Sequence, residues 1–351
     1  MSDSASSSPP VNVAEETESR DRKAEHLQLA EQREMQARQN YFHSYAFEHR
    51  ALPEIDLAEV DASVSFLGKR LEAPLLISCM TGGTGKAESV NRNLARAAER
   101  AGIAVGVGSQ RKALETPEQE HTFQVRDEVP TVPLLGNLGA VQLNDGYGLA
   151  ECEAAVEMID ADALAFHLNP LQEAIQPEGD RDFSTLLPKM GEVAEQLSVP
   201  IIAKEIGCGI SGAVARELGE HGIDIIDTAG QGGTSWARIE AQRADDVDLG
   251  DLFADWGLPT PLAIQQVSEV PGTTVIGSGG VRSGVDVAKA LALGADLVGM
   301  ASPFLKAAME SEEAVMNKIE RTVRELRIAM FCVGARSISE LQHTRIFEQP
   351  R

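Results

Sequence analysis

Eight short apolar runs, each giving way to Gly, Ser, Asn, Lys, Asp or Thr, constrain this chain more than any other feature. They are "PLLISCM", "IAVGVGS", "VPLLGNLG", "ALAFHLN", "VPIIAKEIG", "IDIIDTAG", "TTVIGSGG" and "DLVGMAS", with longer helix-compatible stretches between them. Runs rich in Val, Ile and Leu without strict alternation predict strands covered on both faces, hence a parallel sheet assembled from βα units. Eight such units predict a (β/α)8 TIM barrel, an α/β fold whose ligand site forms at the carboxyl ends of the strands, where these polar residues cluster. A doubly wound sheet is the competing architecture, and the count of eight with polar ends favours the barrel. At 351 residues the chain is long enough for one such barrel.

The remaining segments divide the chain into three. Residues 1–20 are polar and acidic and read as a disordered tail. Residues 21–73 form an N-terminal extension, charged and helix-compatible over 21–50 and continuing there into the aromatic "YFHSYAFEH". Residues 74–351 hold the barrel, with a C-terminal helix predicted over "FLKAAMESEEAVMNKIERTVRELRIAMFCVGA" from its apolar spacing. The formal net charge of -23 excludes an unassisted nucleic-acid or anionic-membrane surface. An acid excess of that size, with Arg outnumbering Lys, predicts a halophilic cytosolic protein, whose self-repulsion concentrated salt would screen. Cys79, Cys152, Cys208 and Cys332 form no CxxC pair, so they read as reduced thiols. No apolar run approaches the roughly 20 residues of a membrane helix, and a cytoplasmic location is expected.

The first chemical signal is "TTVIGSGGVRSGVDVAKALALGADLVGM". A strand over Thr273 to Ile276 is predicted to run into Gly277, Gly279 and Gly280, with Val281 and Arg282 opening a helix. Glycines let a ligand approach the backbone, and a helix N-terminus offers unpaired N–H groups and partial positive charge. A bare turn would have the same glycines, but Arg282 adds a guanidinium suited to a phosphate. The sixth strand ends "DTAGQGGT", with neither a Cys for a covalent nucleophile nor the His of a hydroxy-acid oxidase. Lys204 is compatible with a Schiff base, yet Thr81, Ser109, Asn137, Lys204 and Thr234 together offer hydrogen bonds and one positive charge around a flat ring, as a flavin needs. The flavin phosphate would sit against Gly280, Val281, Arg282, Ala301 and Ser302.

In the order "RKAEH", "MTGGT", "VGSQR", "GNLG", "HLNPLQEAIQPEG", "KEIGCGIS", "DTAGQGGTSWARIE" and "GSGGVRSG", the chain resembles the type 2 isopentenyl diphosphate isomerases, FMN-dependent enzymes of isoprenoid synthesis, from Arg22 to the C-terminal helix. The resemblance implies that Cys79, Met80, Thr81, Ser109, Asn137, Lys204, Thr234, Gly280, Val281, Arg282, Ala301 and Ser302 surround FMN. It implies substrate contacts from Arg22, Lys23, Ser109, Gln110, Arg111 and Gln172, and a Mg²⁺ ligand in Glu173. His26, His167 and Glu240 match positions near the site. The chain departs from a relative's pattern at Ala229, where a Ser would offer the flavin a hydroxyl.

In that light reduced FMN acts as the acid/base, Lys204 stabilises negative charge on its ring, and Gln172 orients the alkene. His167 joins them as a catalytic candidate if its side chain points inward. NADPH is the expected reductant of the flavin, the substrate is a small diphosphate, and a homo-oligomer, tetramer or octamer, is expected. By themselves Arg22 and Lys23 read as a solvated helix start, and Glu173 as an acid in a helix's first turn. An FMN oxidoreductase of the hydroxy-acid oxidase or nucleotide-dehydrogenase kind is the alternative activity, and a non-catalytic flavin sensor a third reading.

Overall fold

The structure is a computed structural model describing residues 35–83 and 85–349. The expected acidic tail and Arg22, Lys23 and His26 lie outside the described residues. Three short strands come first, β1 (Tyr45–Phe47), β2 (Val64–Phe66) and β3 (Lys69–Leu71). The barrel follows: β4 (Leu75–Ile77), β5 (Ala104–Gly106), β6 (Leu134–Gly139), β7 (Ala163–Leu168), β8 (Ile201–Glu205), β9 (Ile225–Asp227), β10 (Thr274–Ser278) and β11 (Leu297–Met300). A last strand, β12 (Ile346–Glu348), ends the described chain. Strands β4 to β11 pair in parallel with their neighbours in sequence, and β11 returns to β4, closing the barrel. Each of the eight apolar runs contains one of these strands.

Apart from their carboxyl ends the strands are largely apolar because helices cover the outside and side chains fill the inside. Leu75, Leu76, Ile77, Leu134, Leu135, Phe166, Ile202, Ile276 and Val298 are all buried, each contributing about 1.5–3 kcal/mol through apolar burial. The helix Gly85–Ala101 turns Val90, Leu94, Ala97 and Ala98 onto this wall and its charged residues outward. The hairpin β2–β3 closes the amino end of the barrel: Lys69 Nζ lies 2.5 Å from Asp162 and 3.4 Å from the Val132 carbonyl, just before β7 and β6. The opposite end is left for the site.

Three boundaries differ from those read in the sequence. After β10 the helix spans Gly284–Ala292, starting beyond Arg282, because Gly279 and Gly280 adopt φ of +102° and +73° and Ser283 is the N-cap, its Oγ accepting from Asp286 N at 3.2 Å. The C-terminal helix is two helices, Ser302–Glu310 and Glu312–Val333, because Ser311 is extended and caps the second by accepting from Ala314 N at 3.1 Å. The extension is not helical over 36–50 beyond the short turn Tyr41–Ser44. Asn40 caps that turn, and β1 then pairs antiparallel with β12, a strand the sequence reading did not include. Among the described residues no helix is long and apolar enough to cross a membrane.

Candidate active site

Three buried polar residues at the carboxyl ends of β8, β9 and β10 are bonded in a row. Lys204 Nζ donates to Asp227 Oδ2 at 2.9 Å, and Ser278 Oγ donates to Asp227 Oδ1. Strand register explains the first contact, since His167, Lys204 and Asp227 lie side by side across β7, β8 and β9. On the other side His167 Nδ1 donates to Asn137 Oδ1 at 3.0 Å. Cys79, at the end of β4, is half-buried near Lys204, Asp227 and Asn137, and desolvation pushes its thiol up to about 11, so it stays protonated at neutral pH.

Next to this polar row two glycine loops pack backbone against backbone. A Cβ on Gly279 would run into the Gly230 carbonyl, and one on Gly280 into that of Gly232, so the left-handed turn after β10 accepts only glycine. None of the described residues accepts a hydrogen bond from the amides of Gly280, Val281, Ala301 or Ser302, which cluster where β10 and β11 end. The Arg282 amide is taken by Asp286 at 3.1 Å, and its guanidinium donates to the Gly232 carbonyl at 3.2 Å, bracing one loop on the other. The extension crosses the same loops. Asn40 Nδ2 donates to the Gly280 carbonyl at 3.0 Å, and Gln36 Nε2 donates to Thr234 Oγ1 at 3.1 Å.

The second part of the mouth follows β7. Asn169 Nδ2 donates to Gln172 Oε1 at 3.0 Å and to Glu173 Oε1 at 2.7 Å, while Asp180 N donates to Glu173 Oε2 at 2.8 Å. Gln172 Nε2 donates to Glu240 Oε1 at 2.6 Å, and Arg243 holds the other Glu240 oxygen at 2.7 Å. Buried Asn169 Oδ1 has no hydrogen-bond partner among the described residues. Arg111 reaches Glu115 at 2.7 Å, Asp180 at 2.9 Å and Asp145 at 3.4 Å. Burial works against its charge, but the hydrogen bonds and charges of Glu115 and Asp180 outweigh it and raise its pKa. A cleft adjoins this cluster, lined by Leu171, Gln172, Glu205, Thr234, Trp236 and Trp256. Its floor is the Glu205 carboxylate, which accepts from the amides of Ile206, Gly207, Cys208 and Gly209.

Residues 22–126 and 172–348 match the FMN-dependent dehydrogenase family. An isopentenyl-diphosphate delta-isomerase of a Nostoc species is 48% identical over 341 residues, covering 95% of this chain and 97% of its own. The same-named protein of a Synechococcus species is 51% identical over 92% and 94% of the two chains. The chain belongs to the isopentenyl-diphosphate delta-isomerase family. The Halobacterium salinarum relative is 48% identical over 95% and 94%. Among solved structures, a mandelate oxidase shares the fold at 19% identity, with a TM-score of 0.64 over 98% of this chain and 100% of that one. A mandelate oxidase variant with an FMN adduct shares it at 18%, with a TM-score of 0.62 over 92% of each.

Within this family member the structure gathers most of the residues singled out in the sequence at one end of the barrel. Cys79, Met80, Thr81, Asn137, Lys204, Thr234, Gly280, Val281, Arg282, Ala301 and Ser302 all sit at or just beyond strand ends, as does half-buried Ser109. Gln172, Glu173 and Glu240 form one hydrogen-bonded group, and Arg111 joins it through Asp180. Gln110 stands apart. It is fully buried, its Nε2 donates to the Ala155 carbonyl at 2.7 Å and its Oε1 accepts from Asn137 N at 2.9 Å, so its side chain ties β6 to the helix Leu149–Ile159. Ala229 is buried with φ of +33°, a backbone shape unusual for a residue with a Cβ. Sequence reading missed Asp227 and Asn169. The signal for Asp227 was present: a carboxylate within "IDIIDTAG" on a strand buried on both faces needs a cation on a neighbour.

Proposed function

We propose that this protein converts isopentenyl diphosphate to dimethylallyl diphosphate using bound FMN and Mg²⁺. The observation that carries the reading is that one barrel mouth holds both a ready anion seat beside Lys204 and a separate carboxylate and amide group around Glu173. The first fits FMN: the amides of Gly280, Val281, Ala301 and Ser302, unpaired among the described residues, with Arg282 beside them, suit its phosphate, and Asn137, Thr81, Ser109, Thr234 and Lys204 suit its ring. The second fits a hard dication bound with a diphosphate, since Glu173 and Asn169 Oδ1, which has no partner among the described residues, offer hard oxygens on hydrogen-bonded neighbours. Reduced FMN supplies an acid/base able to protonate one alkene carbon and deprotonate another without net electron transfer.

The chain's own residues do the rest. Lys204 presents a cation to the ring, and Asn137 and His167 hold each other in fixed orientation. Gln172, with its amide turned by Asn169 on one side and Glu240 on the other, offers a neutral, oriented surface to the alkene. Arg111, together with Arg22 and Lys23 of the extension, neutralises the diphosphate, whose remote binding energy fixes the reacting carbons. Gln110 contributes by holding the wall from which Ser109 and Arg111 project. NADPH is the proposed reductant, a homo-oligomer the proposed assembly, and the cytoplasm of a salt-adapted cell the proposed setting. The test is anaerobic reduction with stoichiometric dithionite, followed by Mg²⁺ and isopentenyl diphosphate. Many dimethylallyl diphosphates per flavin are expected, with the reduced spectrum persisting. One product or none would replace the isomerase with a flavin oxidoreductase.

A further inference from the structure

We propose that Asp227, steadied by Ser278, is the positioning residue that fixes the Lys204 ammonium at the flavin and thereby sets how strongly the protein prefers reduced over oxidised FMN. The proposal rests on the flavin reading above and concerns residues to which that reading gives no task.

Three adjacent strands meet in this unit. Asp227 is 1% exposed and Lys204 8%, so Lys204 is the more accessible member of the pair. One carboxylate oxygen accepts from Lys204 at 2.9 Å and the other from Ser278. The carboxylate therefore cannot turn without losing one of two bonds anchored on β8 and β10. A lysine is a point charge on a flexible stem, and nothing in its own chemistry fixes where that charge sits. The carboxylate does so here. Cys79, which lines the expected ring position, feels the charges of both Lys204 and Asp227, placing the pair at that wall.

Energetics supports a role beyond folding. A buried ion pair is frequently no more stabilising than well-packed apolar residues of the same volume, because desolvation cancels much of the attraction. The deeper barrel interior is apolar, with Ile77, Val105, Leu135 and Ile276 buried. A salt bridge in its uppermost layer is explained by what it presents to a ligand. Reduction adds negative charge to the flavin ring, so an ammonium held there favours the reduced form.

The test uses the full-length holoenzyme and four proteins: wild type, Asp227→Asn, Lys204→Met and the double variant. In each, the Kd for oxidised and for dithionite-reduced FMN is measured, and turnover is not needed. If Asp227 acts by placing Lys204, Asp227→Asn shifts the ratio towards oxidised FMN by roughly tenfold, the size of one charge-assisted hydrogen bond. The same substitution in the Lys204→Met background then adds nothing. A shift towards reduced FMN would show that Asp227 acts by its own field, and an equal shift in both backgrounds would show independence from Lys204. Either result, or no shift, overturns the proposal. Should Asp227→Asn not fold, Ser278→Ala leaves the ion pair intact but frees one carboxylate oxygen, and a smaller shift in the same direction, again absent without Lys204, is required. Failure of wild type to bind FMN at all would instead remove the flavin reading itself.

Discussion

The two parts of the barrel mouth are built from different materials. Around β8 to β11 the groups facing the site are chiefly backbone amides beside left-handed glycines, with Arg282 braced on the Gly232 carbonyl and one internally neutral ion pair. After β7 they are long side chains whose charges are already matched to one another: Arg111 to three carboxylates, Glu240 to Gln172 and Arg243, Glu173 to Asn169 and Asp180 N. A backbone seat has nothing to rearrange when its anion arrives, which suits a cofactor that stays. A matched side-chain network must exchange partners when a metal and a diphosphate enter and restore them when they leave, which suits a substrate that turns over. In the proposed reading, retention and exchange are thus separated within one fold.

The strongest test of that contrast is Glu173→Gln. It should lower Mg²⁺-dependent turnover by about 100-fold or more while leaving one FMN per chain, because a neutral amide is a poor ligand for a hard dication. Loss of flavin together with activity would merge the two parts into one. Next in size is Arg282→Ala, expected to weaken FMN binding by roughly 10- to 100-fold, as for loss of a charge-assisted contact, with KM unchanged once the flavin is saturating. A raised KM with normal flavin affinity would move Arg282 to the substrate. Arg111→Gln should do the reverse, raising KM for isopentenyl diphosphate about tenfold with FMN affinity intact, and titration calorimetry with the diphosphate would show it directly.

A smaller effect is expected from salt. Among the described residues many arginines already have acid partners, Arg92 and Arg96 sharing Glu128 and Arg100 taking Glu312 and Glu313, so the formal charge of -23 reflects surplus acid that only counter-ions can screen. Tm should fall as KCl is withdrawn, and a Tm independent of KCl would remove the halophilic setting. The smallest effect is at Cys79. With its thiol at about 11 it is neutral through pH 8, and iodoacetamide should leave it unlabelled there, the labelling rate rising only as pH approaches that value.

The barrel was legible in the sequence because burial on both faces leaves an unmistakable mark: eight apolar runs, each ending in polarity. The glycine turn after β10 was legible for a related reason, since a left-handed turn and backbone contact leave few residues to choose from at Gly279 and Gly280. What escaped was set by contacts across strands. The pairing of Asp227 with Lys204 depends on register, and nothing local in "IDIIDTAG" states which neighbour faces it. Gln110 beside Ser109 and Arg111 looked like part of one binding run, but a turn there sends its side chain into the wall. Ser311 was hidden inside an amphipathic pattern that continues on both sides of the break.

The β1–β12 ribbon has a consequence for biosynthesis. Tyr45 pairs with Glu348 and Phe47 with Ile346, and Ser44 O accepts from Gln349 N at 2.7 Å. A ribosome delivers residues 45–47 early and 346–348 only after every barrel strand has been made, at roughly 5–20 residues per second. The segment that crosses the Gly280 and Thr234 loops therefore lacks its clasp throughout elongation, and the barrel can close beneath an entrance still open to FMN. Fastening comes last, as a long-range contact whose loop-closure cost is met only once the barrel has brought the two ends together.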